Sequence, residues 1–274
     1  MTTIETSAPA GARLYLDLLK KVLINEIYQD GSSAKFGATE LVASPEGQPW
    51  PYEADVRRSG MDFPSVAHTM VGLQRLDNVH ACLDQILADG VAGDCVETGV
   101  WRGGVCIFMR AFLQAHGLDD RTVWVADSFE GLPAPSGKDW QIFAGMGPRN
   151  ESEDFEAIND DLLSVSLEAV QENFRRYGLL DDRVRFLRGW FRDTLPSAPI
   201  EKLALLRLDG DLYESTMDAL SNLYPKLSPG GFLIIDDYHV PNCRMAVDDY
   251  REEHGIDEPV RDIDGCGAYW RRSL

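Results

Sequence analysis

Two apolar runs in the second half of the chain end in closely spaced carboxylates. LALLRLDGD carries Asp209 and Asp211, and GGFLIIDDY carries Asp236 and Asp237. Both runs read as central strands of an open α/β sheet, and the C-terminal ends of such strands border the crevice where ligands bind. Four carboxylates converging there repel one another strongly unless a cation sits among them. Oxygen-only ligation suits a hard divalent ion, Mg²⁺ first, which keeps positions open for water or substrate oxygens. Asp-Asp pairs also stand at 119–120, 160–161, 181–182 and 248–249, in polar turns or a helical pattern that marks them as solvated surface. Only Asp236 and Asp237 directly follow a long apolar strand. The plainer alternative makes these acids strand-end caps.

A second constellation lies upstream. In GDCVETGVWRGG an acid, Glu97, ends a strand, and Gly99, Gly103 and Gly104 follow. Residues without Cβ let a ligand approach the backbone, and the next helix offers free N–H groups at its start. The spacing is G-x-x-x-G-G, whereas the dinucleotide fingerprint requires G-x-G-x-x-G. A carboxylate at the strand tip repels a pyrophosphate but attracts the ammonium of an amino-acid moiety. Asp127 ends the next strand, where it can accept hydrogen bonds from two ribose hydroxyls. Together the two acids suit S-adenosylmethionine; the bland alternative is an ordinary βα turn with two solvated acids.

The elements that must position these residues follow from periodicity. DCVETG, TVWVADS, RVRFLRG, LALLRLDGD and GGFLIIDDY read as strands, and GGVCIFMRAFLQAHG, LLSVSLEAVQENFRRYG and STMDALSNLYPKL as the helices between them. That alternation predicts a parallel sheet covered on both faces. EPVRDIDGCGAYWRR reads as two strands around a Gly-bearing turn, antiparallel at the sheet edge. Upstream, residues 14–28 read as an amphipathic helix, 29–63 as a long loop or arm, and 66–87 as a second helix. The chain divides into an N-terminal helical extension with its arm, 1–90, and a Rossmann-like catalytic domain, 91–274, with a lid at about 133–160.

Composition bounds the partners. Of 274 residues, 26 are Lys or Arg and 45 are Asp or Glu, a net charge of −19 that repels nucleic acid and anionic membranes. No run approaches the ~18 apolar residues of a membrane helix. Five cysteines without a CxxC pair argue against a disulfide framework and a cysteine zinc site, and for a reducing compartment. The N-terminus lacks a signal-peptide pattern, so a cytoplasmic location is expected.

These blocks resemble the macrocin O-methyltransferase family, bacterial enzymes that methylate sugar hydroxyls on macrolides, aminocoumarins and related natural products. The resemblance runs from LYLDLLKKVLINEIYQD through VAHTMVGLQRLDN, ETGVWRGG, VWVADSFEG, NFRRYGLLDD, RFLRGWFRDTLP, LRLDGDLYESTMD and SPGGFLIIDDY to AYWRR. It implies the class I methyltransferase sheet and a requirement for S-adenosylmethionine and Mg²⁺. On matching positions it implies metal ligation by Asp209, Asp236 and Asp237, with Asp211 as general base. The methionine end of the cofactor would meet Glu97, Thr98 and the 99–104 turn with Gly99, Gly103 and Gly104. Asp127 would hold the ribose with Ser128 beside it, and the adenine would lie near Gly189, Trp190 and Phe191. Thr69 and Met70 of VAHTM would also touch the cofactor. For Trp190 the alternative is a core role. Two stretches, 31–60 and 138–160, depart from the family and read as lid or substrate loops.

The function expected is therefore methylation of a deoxysugar hydroxyl on a glycosylated natural product. Asp211, two positions beyond Asp209, would share its face of the pleat if the strand continues that far. The runner-up is a Mg²⁺-dependent methyltransferase of a catechol or other phenol. The non-enzyme alternative is a module that binds S-adenosylmethionine or a metal without turnover. The long N-terminal segment, together with the resemblance, points to a homo-oligomer, dimeric or higher.

Overall fold

The structure, a computed structural model, describes residues 10–36, 41–45, 48–135, 137–139 and 162–274. Each apolar run of the second half forms a strand: β4 (Asp94–Thr98), β5 (Val123–Asp127), β6 (Val184–Arg188), β7 (Leu203–Leu208) and β8 (Leu227–Ile235). With β9 (Arg261–Asp262) and β10 (Ala268–Arg271) they make a seven-stranded sheet in the order β6-β5-β4-β7-β8-β10-β9. The strands β4 to β8 pair in parallel, while β10 runs antiparallel to β8 and to the short edge strand β9.

Alternate residues of these strands enter different cores, as a period of two requires. Val123 and Val125 pack in one cluster with helices α1 (Ala10–Leu23), α3 (Gly72–Ala88) and α4 (Gly104–Ala115). Trp124 and Ala126 pack in the other, with α7 (Tyr213–Leu223) and α8 (Pro241–His254). Helix α4 is buried over most of its surface, which explains why its sequence is apolar on nearly every side. Two further helices, α5 (Leu167–Arg176) and α6 (Phe191–Thr194), lead into and out of β6. Because α1 and α3 share a cluster with β4 and β5, the N-terminal segment is built into the core of the sheet domain. Of the lid expected at about 133–160, residues 136 and 140–160 lie outside the described residues.

The structure departs from the expected elements upstream of the sheet. The first helix stops at Leu23, and Asn25 and Gln29 take left-handed backbone angles. The stretch expected to be a loop holds β1 (Ser32–Phe36), β2 (Leu41–Ala43), α2 (Ala54–Ser59) and β3 (Asp62–Pro64), with the strands in an antiparallel sheet of order β2-β1-β3. These strands are too short and polar to show a period-two signal. The second helix starts at Gly72 rather than near 66, and residues 65–71 run as irregular chain between Asp30 and the start of α4.

What holds this segment is one buried cation. Arg57 donates from Nε to both oxygens of Asp62 at 3.1 and 3.0 Å, and from Nη1 to Asp30 Oδ1 at 2.6 Å and the Ile24 carbonyl at 2.9 Å. Asp30 in turn accepts the main-chain N–H groups of Val66 and Ala67. Burial would raise the Asp30 pKa, but the Arg57 contact outweighs it and holds the carboxyl below its ordinary value. Removing one partner of such a buried pair leaves an uncompensated charge. Arg57→Met is expected to cost about 3–5 kcal/mol of stability, read from urea unfolding curves.

Candidate active site

The register of the parallel strands sets the site. Thr98 stands level with Ala126 on one side and with Leu208 on the other, and Leu208 stands level with Ile235. The ladder continues one residue further: Gly99 N–H donates to the Ala126 carbonyl, Asp209 to Thr98, and Asp236 to Leu208, at 2.8–2.9 Å. Asp127, Gly99, Asp209 and Asp236 therefore form a row across the C-terminal ends of β5, β4, β7 and β8. The strand order reverses on either side of β4, so this row lies at the switch point of the sheet, where an open α/β fold leaves a crevice.

Glycine is compulsory at one place in the row. Gly99 has a φ of +82°, and a Cβ there would stand 1.6 Å from the Asp209 carbonyl oxygen. Residues just past the strand ends adopt left-handed angles even without being glycine: Trp101 at φ 47°, Phe129 at 60° and Asp211 at 55°. Such strain collects at functional sites because the surrounding structure must hold it.

A charged network fills the face beneath the row. Glu97 and Arg207 stand opposite each other on β4 and β7. The Arg207 side chain is fully buried; Nη1 donates to Glu97 Oε1 and, at 2.8 Å, to Asp209 Oδ2, while Nη2 donates to Asp236 Oδ1. Arg75 from α3 donates to the other oxygen, Asp236 Oδ2. Burial would push the Asp236 carboxyl up, but the two guanidiniums overcome it and hold the group ionised. Asp209 and Asp237 have no such surplus: burial and neighbouring carboxylates push both well above the ordinary range. Burial and the charges of Asp209 and Asp236 push Asp211 up to about 7.

The row opens on a cavity of about 640 Å³, within the range of small-molecule sites. Its lining brings together Thr69, Met70, Glu97, Gly99, Asp127, Ser128, Trp190, Phe191, Asp209, Asp211, Asp236 and Asp237. Four expected residues stand elsewhere. Thr98 points to the opposite face of the sheet from Glu97 and is buried. Gly103 caps α4, and Gly104 lets the 65–71 chain dock: its N–H donates to the His68 carbonyl, and a Cβ would lie 2.4 Å from that oxygen. Gly189 donates to the Asp127 carbonyl and supports the wall from behind.

Two of the expected residues also make contacts that the sequence did not show. Both Glu97 oxygens are engaged, one by Arg207 and one by the Cys106 thiol at 2.8 Å, so its carboxylate is committed to the network while still bordering the cavity. Asp211 does not share a strand face with Asp209, because β7 ends at Leu208 and the chain turns. Its N–H instead donates to Asp237 Oδ2 at 3.1 Å, which brings Asp211 beside the acids by a turn rather than by the pleat.

Sequence reasoning missed both arginines. Arg207 had a signal, a lone cation inside the apolar run LALLRL that can be buried only if paired. Arg75 had none. Asp139 was missed too: buried, it accepts from the Tyr213 N–H and the Asn242 amide at 2.7 Å and borders the cavity.

The acids can serve two groups. Asp127 accepts the N–H groups of Val100 and Phe129, each at 2.7 Å, with the Ser128 hydroxyl 3.4 Å from Oδ1; these contacts aim the carboxylate at the cavity, where it can accept from ribose hydroxyls. Asp209, Asp236 and Asp237 each offer an oxygen within 4.8 Å of the others. An all-carboxylate set in which two members are forced toward their protonated forms fits a hard divalent ion, because the ion replaces the protons.

The strand order, the reversed β10 and the acid-lined cavity at the switch point define a class I methyltransferase fold. Residues 12–272 match the family model for macrocin-O-methyltransferase (TylF). The chain is 56% identical to 8-demethyl-8-(2,3-dimethoxy-alpha-L-rhamnosyl)-tetracenomycin-C 4'-O-methyltransferase of Streptomyces olivaceus, over 95% of this chain and 93% of that protein. It is 52% identical to mycinamicin III 3''-O-methyltransferase of Micromonospora griseorubida, over 97% and 99% of the two chains. The solved structure of the O-methyltransferase NovP superposes with a TM-score of 0.82 at 48% identity, over 96% of this chain and all of that one. The chain belongs to the macrocin-O-methyltransferase family, and it is an O-methyltransferase.

The raised carboxyls make a pH-dependent prediction. A carboxyl with a raised folded-state pKa keeps its proton in the fold after the unfolded chain has lost it. Its favourable contribution therefore fades as pH climbs through the folded value. With Glu97 at about 6 and Asp211 at about 7, the metal-free protein loses stability from these groups as pH rises from their unfolded values near 4 through about 7. A divalent ion removes that penalty, so the rise in Tm on adding Mg²⁺ is expected to be larger at pH 8 than at pH 6, read by scanning calorimetry.

Proposed function

We propose that this enzyme transfers a methyl group from S-adenosylmethionine to a deoxysugar hydroxyl of a glycosylated natural product, with Mg²⁺ held by Asp209, Asp236 and Asp237. The observation that carries the reading is the row of acids at the switch point, Asp127 at one end and Asp236 at the other, along a single cavity. The named activities of the relatives supply the acceptor class: a rhamnosyl-tetracenomycin and mycinamicin III.

When bound, S-adenosylmethionine supplies an electrophilic methyl group and Mg²⁺ lowers the pKa of an acceptor hydroxyl. The chain's own residues do the rest. Asp127 aligns the ribose, and Thr69, Met70, Trp190 and Phe191 form cavity walls against the nucleoside. Glu97 and Arg207 act from below, fixing Asp209 and Asp236. Asp211, held beside the acids by its N–H bond to Asp237 Oδ2, takes the hydroxyl proton on its carboxylate. Orientation inside the cavity supplies much of the rate.

The chain is read as a homo-oligomer, since α1 leaves Leu14 72% and Leu18 55% exposed. Light scattering at micromolar concentration is expected to give at least the dimer mass.

The test of the activity pairs glycosylated acceptors with their aglycones, in the presence of S-adenosylmethionine and Mg²⁺, and reads methyl gain by mass spectrometry. Methylation on the sugar, abolished by EDTA, is the expected result; methylation of a phenolic aglycone alone would overturn the sugar reading. Asp211→Asn keeps the shape but cannot accept the proton, and a fall in kcat of about 10²–10⁴-fold is expected with cofactor affinity nearly unchanged. Excess Mg²⁺ should leave that loss in place, because a missing base, unlike a missing ligand, is not replaced by mass action.

A further inference from the structure

One cation reaches the carboxylate row from outside the sheet. Arg75 lies on α3, buried, 161 residues away in sequence from the acid it grips. Its Nη1 donates to Asp236 Oδ2, its Nε lies 3.0 Å from Asp264 Oδ2, and its Nη2 donates to the Gly60 carbonyl at 3.4 Å. Asp264 is itself fixed, because its Oδ1 accepts the N–H groups of Cys266 and Gly267 at 3.0 and 2.9 Å. Asp236 Oδ1 is meanwhile taken by Arg207. A carboxylate gripped at both oxygens by two guanidiniums from different elements cannot rotate, yet each oxygen keeps a lone pair for a further partner. The parity of β8 explains the reach: Ile234, two residues before Asp236, packs in the cluster that contains α3.

We propose that Arg75 is a positioning residue of the divalent-cation site, holding Asp236 in the orientation from which it ligates and making the N-terminal segment part of that site. The proposal rests on the reading that Asp209, Asp236 and Asp237 hold Mg²⁺. The fork is essential to it. A guanidinium spans Asp236, Asp264 and Gly60 at once, whereas a lysine ammonium is a point charge that serves fewer partners at fixed geometry. Partners that orient a ligand from behind typically govern metal affinity by about 10–100-fold.

The test uses Mn²⁺ as the probe, titrated into the full-length protein and followed by the electron paramagnetic resonance signal of the free ion. Calorimetric binding of S-adenosylhomocysteine is measured in parallel. R75M is expected to weaken Mn²⁺ binding about 10–100-fold while S-adenosylhomocysteine affinity stays near the wild-type value; R75K should lose less. Wild-type or tighter Mn²⁺ binding by folded R75M overturns the proposal, tighter binding showing that Arg75 only repels the ion. Equal losses for both ligands also overturn it, since they mark a general structural tie. If R75M does not fold, R75K decides, and wild-type Mn²⁺ affinity in that variant overturns the role of the fork. A wild-type protein that binds no Mn²⁺ fails the metal reading itself, and this one with it.

Discussion

The Arg207 guanidinium is the charge around which the centre of the molecule is arranged. It sits one residue before the C-terminal end of β7 with no exposed surface, and a buried cation is tolerable only with anions and hydrogen bonds to match. Glu97, Asp209 and Asp236 supply them. Meeting the needs of one arginine thus draws acids from three neighbouring strands to one point beneath the crevice. The network over-compensates in charge: its acids outnumber its bases, and burial together with that surplus drives Asp209 and Asp237 toward their neutral forms. That surplus is the electrostatic appetite of the site for a cation.

Environment then divides the acids by task, in the way one fold can run distinct roles with one residue type. Asp236, between two guanidiniums, is kept ionised. Asp127 is anchored by two main-chain N–H groups and faces the crevice from the neighbouring strand. Asp211, buried in a left-handed turn and facing the charges of Asp209 and Asp236, is left near neutrality. The backbone makes this division possible, since the close passage of the Asp209 carbonyl past Gly99 leaves no room for a side chain there.

The N-terminal segment belongs to the same construction. Its irregular stretch 65–71 is pinned at one end by the Arg57 and Asp30 pair and at the other by the start of α4, which delivers Thr69 and Met70 to the cavity. Arg102 reinforces the joint: its guanidinium donates to the Pro64 and Ala67 carbonyls from within the turn after β4. The segment thereby forms one wall of a cavity whose floor is the sheet.

The sequence by itself determined the sheet, its central strands and the acids at their tips. Apolar runs alternating with helical patterns are strong local signals, and a carboxylate at the end of such a run is placed by the run. It left open the short polar strands of the first 70 residues, whose pairing comes from contacts distant in sequence, above all the Arg57 cluster. It also left open whether the strand runs on to Asp211; it does not, because a left-handed turn at a non-glycine residue is imposed by surrounding packing and leaves no mark on composition. Only the tertiary structure decided that Glu97 serves Arg207 and that Arg75 reaches Asp236. A salt bridge between residues 161 positions apart depends on register and helix docking, and neither is written in the neighbourhood of either residue.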